Sequence, residues 1–294
     1  MITLGEIKTT IPFFVANKGL ESVLGSWVYW ISTDIISSYD FWWNKKNTTL
    51  TTVSGTAEYF LSHRVQGKQV TWMGDNANQS WHIQEVPLES IYKHDSTPTE
   101  AGTPINWAYV ESAHVQAANA SGTSTAVSTS TADQAIVVLI RGKVSGRERY
   151  ETISLAGTTT ATPASPLTWD ADTVVSVSLA SITVGVVTVT VGGTTVAVIP
   201  PGLQRIETPR IRLWRVPDSV LTLPYTYYQN MVRPVHDADI VDLPNMAWDA
   251  LLTGVEWLGH RNNGDARIVT STQASYENAK SKLHSNSTRE LSMV

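Results

Sequence analysis

Residues 215–230 read RVPDSVLTLPYTYYQN, and this stretch decides how both ends of the chain are interpreted. The Pro-Asp pair at 217–218 predicts a turn. Apolar and polar residues then alternate over 221–226, which is the period of a strand with one buried face. A doubled tyrosine, Tyr227 and Tyr228, follows directly. None of these residues points to catalysis, so the stretch predicts architecture.

Composition excludes several classes of protein. The chain has 294 residues, 42% of them hydrophobic, which suffices for a buried core. The net charge of -5 argues against a surface that holds nucleic acid tightly through its phosphates. The absence of cysteine excludes disulfides and thiolate metal sites. Residues 1–20 lack the apolar core of a signal peptide, and no run is apolar over about 18 residues, so we expect a soluble, non-secreted protein.

The middle of the chain, residues 112–207, differs from both flanks. It begins with an uncharged stretch rich in small residues and continues as short runs of β-branched residues. Val187, Val189 and Val191 alternate with threonines, and Val196 and Val198 continue the period after Gly192-Gly193. We expect a hairpin there and a small immunoglobulin-like β-sandwich overall. Because residues 173–204 carry no charge, the sandwich either stands alone or packs against a neighbouring subunit.

The flanks predict helices and a few strands. Thr3 and Glu6 form a capping-box pattern, and an apolar stripe runs from Leu20 through Leu24, Trp27 and Ile31 to Ile35. Residues 51–61 predict a hairpin with a Ser-Gly turn. Residues 243–264 predict a helix that stops at Asn263-Gly264, followed by a weaker helical stripe over 268–283 and a free or partner-ordered tail.

Two aromatic strands bracket the middle segment. INWAYV at 105–110 and RIRLWRV at 210–216 are predicted to pair, which would bring the ends of the middle segment together as in an inserted domain. The predicted fold class is therefore α+β, a helical core with a small β-sheet or hairpin, interrupted by the inserted sandwich. The predicted parts are 1–111, 112–207 and 208–294.

Motifs of enzymes and metal sites are not found in the sequence. It lacks a nucleophile elbow, a phosphate-binding loop and a zinc-binding HExxH pattern. His236-Asp237 is interpreted as a turn, and the pairs Asp170/Asp172 and Glu148/Glu151 as solvated carboxylates. Arg210 and Arg212 share one face of a strand, which is either an exposed charged face or a contact for an acidic partner. We expect no enzymatic activity, cofactor or metal.

Aromatic pairs leave two interpretations open. Trp42-Trp43, and Trp72 with Trp81, could stack on sugars or bases. Aromatic residues of this kind are more often anchors of a core or of an interface, and this interpretation is preferred.

Four segments in a fixed order resemble the head-to-tail adaptor, or connector, proteins of tailed bacteriophages. They are TTVSGTAEYFL (51–61), GTPINWAY (102–109), LWRVPDSVLTLPYTYYQN (213–230) and DLPNMAWDALLTGVEWLG (242–259). The resemblance covers residues 1–111 and 208–294. It implies a set of fold-motif residues that also contribute to the subunit interface: Tyr59, Trp107, Pro217, Asp218, Tyr225, Tyr227, Tyr228, Leu243, Pro244 and Trp248. It also implies a portal-binding tail that includes Lys280, Lys282, Leu283, Arg289 and Leu291.

The resemblance implies a structural virion protein. Such adaptors form a ring, here expected to be dodecameric, below the portal, where they connect the capsid to the tail and line the DNA channel. The implied partners are further copies of the chain, the portal protein and tail or nozzle proteins, with genomic DNA passing without sequence-specific binding and no membrane contact. The implied location is the virion neck at the portal vertex, after synthesis in the host cytoplasm. The alternative is a carbohydrate-binding or adhesin-like virion protein that acts through its β-sandwich.

Overall fold

The computed structural model describes residues 2–11, 21–62, 64–75, 81–95, 99–264 and 266–291. Its α-helices are α1 (Leu4–Thr10), α2 (Glu21–Ser38), α3 (Leu88–His94), α4 (Trp248–Asn263) and α5 (Ala266–Leu291). Its strands are β1 (Ile2–Thr3), β2 (Lys45–Thr51), β3 (Glu58–Phe60), β4 (Val65–Asp75), β5 (Trp81–His82), β6 (Gln84–Glu85), β7 (Asn106–Ala113), β8 (Ser124–Ser128), β9 (Gln134–Val144), β10 (Arg147–Ala156), β11 (Ser176–Leu179), β12 (Val187–Val191), β13 (Thr194–Ile199), β14 (Thr208–Trp214), β15 (Thr222–Gln229) and β16 (Ile240–Val241).

The structure corrects the expected fold class. Strands account for 37% of residues and helices for 28%, and the strands form several sheets, so the prediction of a helical core with a small sheet is wrong. Most of the error lies in residues 45–111, where strands were predicted only at 51–61 and 105–110, and where polar residues such as KKNTTLT at 45–51 form a strand that the sequence did not indicate. These residues form edge strands, which need only a few buried side chains to be held in a sheet.

The chain divides into two compact units. The helical unit comprises Met1–Lys45 and Asn230–Val294, and the β unit comprises Lys46–Gln229. Within the β unit, residues between Ala113 and Ile206 build a hydrophobic core of their own, and we call residues 112–207 the inserted segment; that it is a separate domain stays a prediction. The rest of the β unit, which we call the two-sheet body, surrounds a second core.

Helices α1, α2, α4 and α5 form the helical unit. The capping box is confirmed, since the Thr3 hydroxyl accepts from the Glu6 N–H while the Glu6 carboxylate accepts from the Thr3 N–H. The predicted stripe of α2 is confirmed from Leu24 to Ile35, whose side chains are buried, while Leu20 lies outside the described residues. Helix α4 ends as predicted, with Gly264 in the left-handed conformation at φ +77°.

Two four-stranded sheets form the two-sheet body, in the orders β3-β14-β7-β6 and β2-β15-β4-β5. The predicted pairing of β7 with β14 is confirmed, with Trp107 opposite Leu213 and Ala113 opposite Thr208. The ends of the inserted segment are therefore neighbours. The hairpin predicted at 51–61 is wrong, because β2 and β3 belong to different sheets.

The inserted segment has two three-stranded sheets, in the orders β10-β9-β11 and β13-β12-β8. The hairpin at Gly192-Gly193 is confirmed, with β12 and β13 antiparallel. A register shift between Val189 and Thr190 changes the phase of the pairing with β13. As a result Val196, Ala197 and Ile199 are buried and Val198 is only half-buried, which the alternation in the sequence did not predict.

Candidate interaction surfaces

The aromatic residues singled out in the sequence form the core of the two-sheet body. Tyr59, Trp107, Tyr225 and Tyr227 are all buried there. The Tyr225 hydroxyl accepts from the Ser62 N–H at 3.0 Å. Burial raises the pKa of Tyr225 to about 12, against the hydrogen bond from Ser62, which acts in the opposite direction. These side chains therefore stabilise the fold of one chain, and Tyr225 also joins β15 to the distant backbone of Ser62.

The turn at Pro217 and Asp218 is held by the loop that the sequence had assigned to a hairpin. The Gly55 N–H donates to the Pro217 carbonyl at 2.8 Å, and the Ser54 hydroxyl donates to the Asp218 carbonyl at 2.9 Å. Tyr59 fixes the same loop, since its hydroxyl accepts from the Val53 N–H at 3.0 Å and lies 2.8 Å from the Thr56 carbonyl oxygen, to which it donates. The Ser54-Gly55 turn is thus bonded to the Pro217-Asp218 turn, more than a hundred residues away. We call the contact between these two turns the turn clasp.

The remaining fold-motif residues are more peripheral or lie in the other unit. Tyr228 is half-buried on β15. Leu243 is buried in the core of the helical unit, and Pro244 and Trp248 are half-buried at the start of α4. The structure thus brings Tyr59, Trp107 and the 217–228 segment together in the β unit, and it places 243–248 in the helical unit. A role of these residues in a subunit interface stays a prediction.

The C-terminal residues are largely helical. Helix α5 continues through Leu291, so the described part of the tail, predicted to be free or ordered by a partner, is helical, and its contact with a partner stays a prediction. Lys280 and Leu283 are buried in the helical unit, whereas Lys282 is exposed. The backbones of Arg289 and Leu291 belong to the same helix.

A polar network fastens α5 to α2, in which Tyr276 and Lys280 are buried and the Asp34 side chain is 50% exposed. Lys280 Nζ lies 3.0 Å from Asp34 Oδ2, and the Tyr276 hydroxyl donates to the same oxygen. Burial alone would lower the pKa of Lys280, but Asp34 and Glu277 outweigh it and raise the pKa. Burial is the larger cause, and the hydrogen bond to Asp34 the next, of a raised pKa of Tyr276. Lys280 therefore forms its ion pairs within the chain, with Asp34 and Glu277. Lys282, two residues further along α5, is exposed and can contact a partner.

A groove of about 570 Å³ runs between α4 and α5. Asp249 and Glu256 line one side and Lys282 the other, with Leu252 and Ala279 between them. Elsewhere on the helical unit, Trp30 is 57% exposed and Trp42 is 45% exposed. Exposed indoles and a mixed groove are features of protein interfaces, whose cores are enriched in aromatic residues.

A cleft of about 580 Å³ lies between the inserted segment and the sheet β3-β14-β7-β6. Arg210 and Arg212 share its wall as the alternation predicted, and both form ion pairs with Glu58. Arg210 also pairs with Glu111 at 2.9 Å. The two arginines are therefore neutralised within the chain, and contact with an acidic partner is not needed to explain them.

The carboxylates considered for catalysis have structural partners. Glu151 was interpreted as solvated, but it is buried and accepts from the Leu167 N–H at 2.6 Å and from the Trp169 indole N–H at 3.1 Å. Asp170 accepts from the N–H groups of Ser145 and Gly146. Within the described ranges, no group of three His, Asp or Glu side chains could hold a metal ion. None of the helices described is long and apolar enough to cross a membrane.

The inserted segment presents little aromatic surface. Trp169 is fully buried, whereas Tyr150 is 60% exposed. The guanidinium of Arg141 lies 5.8 Å from the centre of the Tyr150 ring. This arrangement does not favour a sugar-binding role for the inserted segment.

Comparison of the chain with protein-family models finds no match, and comparison with curated proteins finds none either. The sequence singled out Trp72 as an aromatic residue but did not show that its side chain is exposed. Trp72 is exposed on β4 and lies against Gly74, and the Trp-x-Gly spacing is its signal in the sequence.

Proposed function

We propose that the protein is a structural virion component, the head-to-tail adaptor of a tailed bacteriophage, which assembles as a ring below the portal. The observation that carries this proposal is the turn clasp. It joins two of the segments on which the resemblance rests, 51–61 and 213–230, through the contacts of Ser54 and Gly55 with the Pro217-Asp218 turn. The segments therefore act as one structural motif, as an inherited scaffold requires, although they are far apart in the sequence.

Surfaces for assembly are available on the helical unit. The exposed Trp30 and Trp42 and the groove between α4 and α5 offer aromatic and mixed polar contacts. Ring proteins bury such surfaces against neighbouring copies in a head-to-tail arrangement. The net charge of -5 agrees with a channel through which DNA slides without being held by phosphate contacts.

The inserted segment can be accommodated without disturbing such a ring. Ala113 and Thr208 are paired on β7 and β14, so the chain leaves and re-enters the sheet at neighbouring positions. We propose that the inserted segment points outward from the ring and is not required for its assembly.

The proposal is tested by mixing the purified chain with purified portal rings and measuring the complexes by native mass spectrometry and electron microscopy. We expect a ring of adaptor copies on the portal, and we expect Trp30→Asp to weaken it because a charge would replace an exposed indole. The matched control is Tyr150→Asp, which changes an exposed aromatic residue of the inserted segment and should leave the ring intact. A chain that does not bind the portal, or that lies away from the portal vertex in virions, would contradict the proposal.

A deletion tests the role of the inserted segment separately. Residues 114–206 are removed and Ala113 is joined to Glu207 through Asn-Gly, which leaves a three-residue connection between the paired residues Ala113 and Thr208. We expect ring formation on the portal to persist. Loss of the ring, with the two-sheet body still folded by circular dichroism and limited proteolysis, would show that the inserted segment contributes to assembly.

A further inference from the structure

The outer face of the sheet β2-β15-β4-β5 carries an indole whose position depends on a glycine. A β-carbon at Gly74 would lie 2.3 Å from Cζ2 and 2.4 Å from Cη2 of Trp72. The six-membered ring of Trp72 therefore covers the position that any other side chain would occupy. Since one side of the ring rests on Gly74 and the residue is still 40% exposed, the opposite side faces solvent.

A β-bulge presents this indole to solvent. Thr226 pairs with Trp72, but the next pair along the strands is Tyr227 with Val70, so Thr71 is the extra residue. Thr71 and Trp72 are both exposed, while Met73 is fully buried. Bulges commonly redirect a side chain in this way near binding sites.

Hydrogen-bonding side chains flank the indole on the same face. Residues directly opposite each other in antiparallel strands share a face, which places Thr226 beside Trp72 and His82 beside Gly74. The Thr226 hydroxyl donates to Asn47 Oδ1 at 2.8 Å, so Asn47 of β2 belongs to the same row. This bond does not use the two amide N–H donors of Asn47. The row consists of an amide, a hydroxyl, an indole and an imidazole, and it contains no carboxylate, ammonium or guanidinium group.

We propose that this row, Asn47, Thr226, Trp72 and His82, is a binding site for a neutral sugar. A pyranose ring has an apolar C–H side, which packs on the open side of the Trp72 ring, and equatorial hydroxyls, which reach the flanking polar groups. Asn47 donates to a sugar hydroxyl, and the hydroxyl of Thr71, which donates to the Thr226 carbonyl at 3.3 Å, accepts from another.

The chemistry of the row favours a neutral sugar over a nucleic acid. A nucleotide would bring a phosphate with each base, and single-stranded nucleic acid sites combine stacking aromatics with a basic groove. None of the four residues of the row is a lysine or an arginine, although Lys45 lies two residues from Asn47 on β2, and the chain as a whole carries a net charge of -5. An uncharged ligand with many hydroxyls matches the row group by group.

The test uses the full chain and three neutral probes, maltohexaose, cellohexaose and chitohexaose, with oligothymidylate as the charged comparison. Binding is measured by isothermal titration calorimetry and by tryptophan fluorescence. We expect saturable binding of at least one neutral probe. We expect Trp72→Ala to weaken it about tenfold, which corresponds to the loss of one aromatic stacking contact, and Trp72→Phe to restore part of it. Gly74→Ala should weaken it similarly, because the added methyl group displaces the indole.

The matched control is Trp42→Ala, which removes an indole of similar exposure from the helical unit and should leave binding unchanged. The proposal would be overturned by no saturable binding of any neutral probe, by equal binding of Trp72→Ala and the unmodified chain, or by stronger binding of oligothymidylate. If Trp72→Phe and Trp72→Ala instead change the number of subunits in native mass spectrometry and leave sugar binding as it was, the face is a subunit contact and the proposal is wrong.

Discussion

The inserted segment and the two-sheet body belong to the same β unit, yet their cores are built differently. The core of the inserted segment is aliphatic and rich in valine, with Trp169 as its buried aromatic residue. The core of the two-sheet body contains Tyr59, Trp107, Tyr225 and Tyr227. The inserted segment is built from hairpins of strands that are adjacent in the sequence, such as β9-β10 and β12-β13. The two-sheet body instead joins residues that are far apart in the sequence, such as Ser62 and Tyr225, which are separated by 163 positions.

This difference shows two ways of making a β structure specific. Local hairpins need only a turn and alternating valines, because the strands that pair are adjacent in the sequence. Distant strands must be brought into register against a larger loss of chain entropy. Tyrosine suits that task, because it fills the core with its ring and holds a distant backbone group with its hydroxyl.

The largest expected effect comes from removing one buried tryptophan from each core. Trp107→Ala should lower the free energy of unfolding of the two-sheet body by about 3–5 kcal/mol, the range for large aromatic truncations in cores. Trp169→Ala should cost the inserted segment a similar amount, since both side chains are almost fully buried. Hydrogen exchange measured by mass spectrometry reports the two regions separately.

Each substitution serves as the control for the other. We expect faster exchange in β7 and β14 with Trp107→Ala, and in β9 and β10 with Trp169→Ala. Uniformly faster exchange throughout the β unit in either variant would show that the two cores unfold as one, and the comparison would then fail.

The two regions should also lose stability at opposite ends of the pH scale. Burial raises the pKa of Tyr225 to about 12 from an ordinary value of 10. The contribution of neutral Tyr225 to the free energy of unfolding is therefore fully present below pH 10 and is lost as the pH rises toward 12. For Asp133, burial alone would raise the pKa, but the Ser128 hydroxyl and the N–H groups of Val184 and Gly185 lower it overall. The contribution of the Asp133 carboxylate to the free energy of unfolding is therefore fully present above pH 3.8, the ordinary pKa, and is lost as the pH falls below it.

Exchange measured after brief exposure to acid or alkali checks this prediction. We expect the inserted segment to open first in acid and the two-sheet body first in alkali. Asp133→Asn should reduce the acid dependence of the inserted segment, and Tyr225→Phe should reduce the alkaline dependence of the body. The same order of opening at both ends of the pH scale would contradict it.

The smallest expected effect comes from glycines in turns. Gly193 in the inserted segment has φ +82°, Gly55 in the turn clasp has φ +80°, and an added β-carbon would meet nothing within 4 Å at either position. Alanine should therefore cost only the strain of the left-handed conformation, about 1 kcal/mol at each position. Thermal unfolding of Gly193→Ala and Gly55→Ala measures this directly. A much larger cost for Gly55 would show that the turn clasp tolerates no adjustment.

Sequence reasoning succeeded where the deciding interactions are local or repeated. The capping box of Thr3 and Glu6, the stop of α4 at Gly264 and the hairpin at Gly192-Gly193 each depend on a few consecutive residues. The pairing of β7 with β14 was also predictable, because two similar aromatic strands bracket a segment of different composition. It failed for the polar strands of residues 45–51, for the phase of β13 after its bulge and for the buried carboxylate of Glu151.

The candidate sites divide in the same way. Tyr59, Trp107, Tyr225 and Tyr227 were recognised as important to the fold, and they are buried. Lys280 was assigned to a binding tail, but it pairs with Asp34 of another helix, which no spacing in the sequence could reveal. Trp72 was noted as an aromatic residue, and its exposure depends on a bulge and on the missing side chain of Gly74.

The sequence by itself determined the alternation of the valine strands and the caps of the helices. These features follow from periods and turn residues that act over a few positions. Only the tertiary structure decided that the Ser54-Gly55 turn clasps Pro217-Asp218, that Glu151 is buried and that Trp72 faces solvent. Those outcomes depend on contacts between groups that are far apart in the sequence. A charged or aromatic side chain is buried only where the fold places a hydrogen-bonding or packing partner beside it.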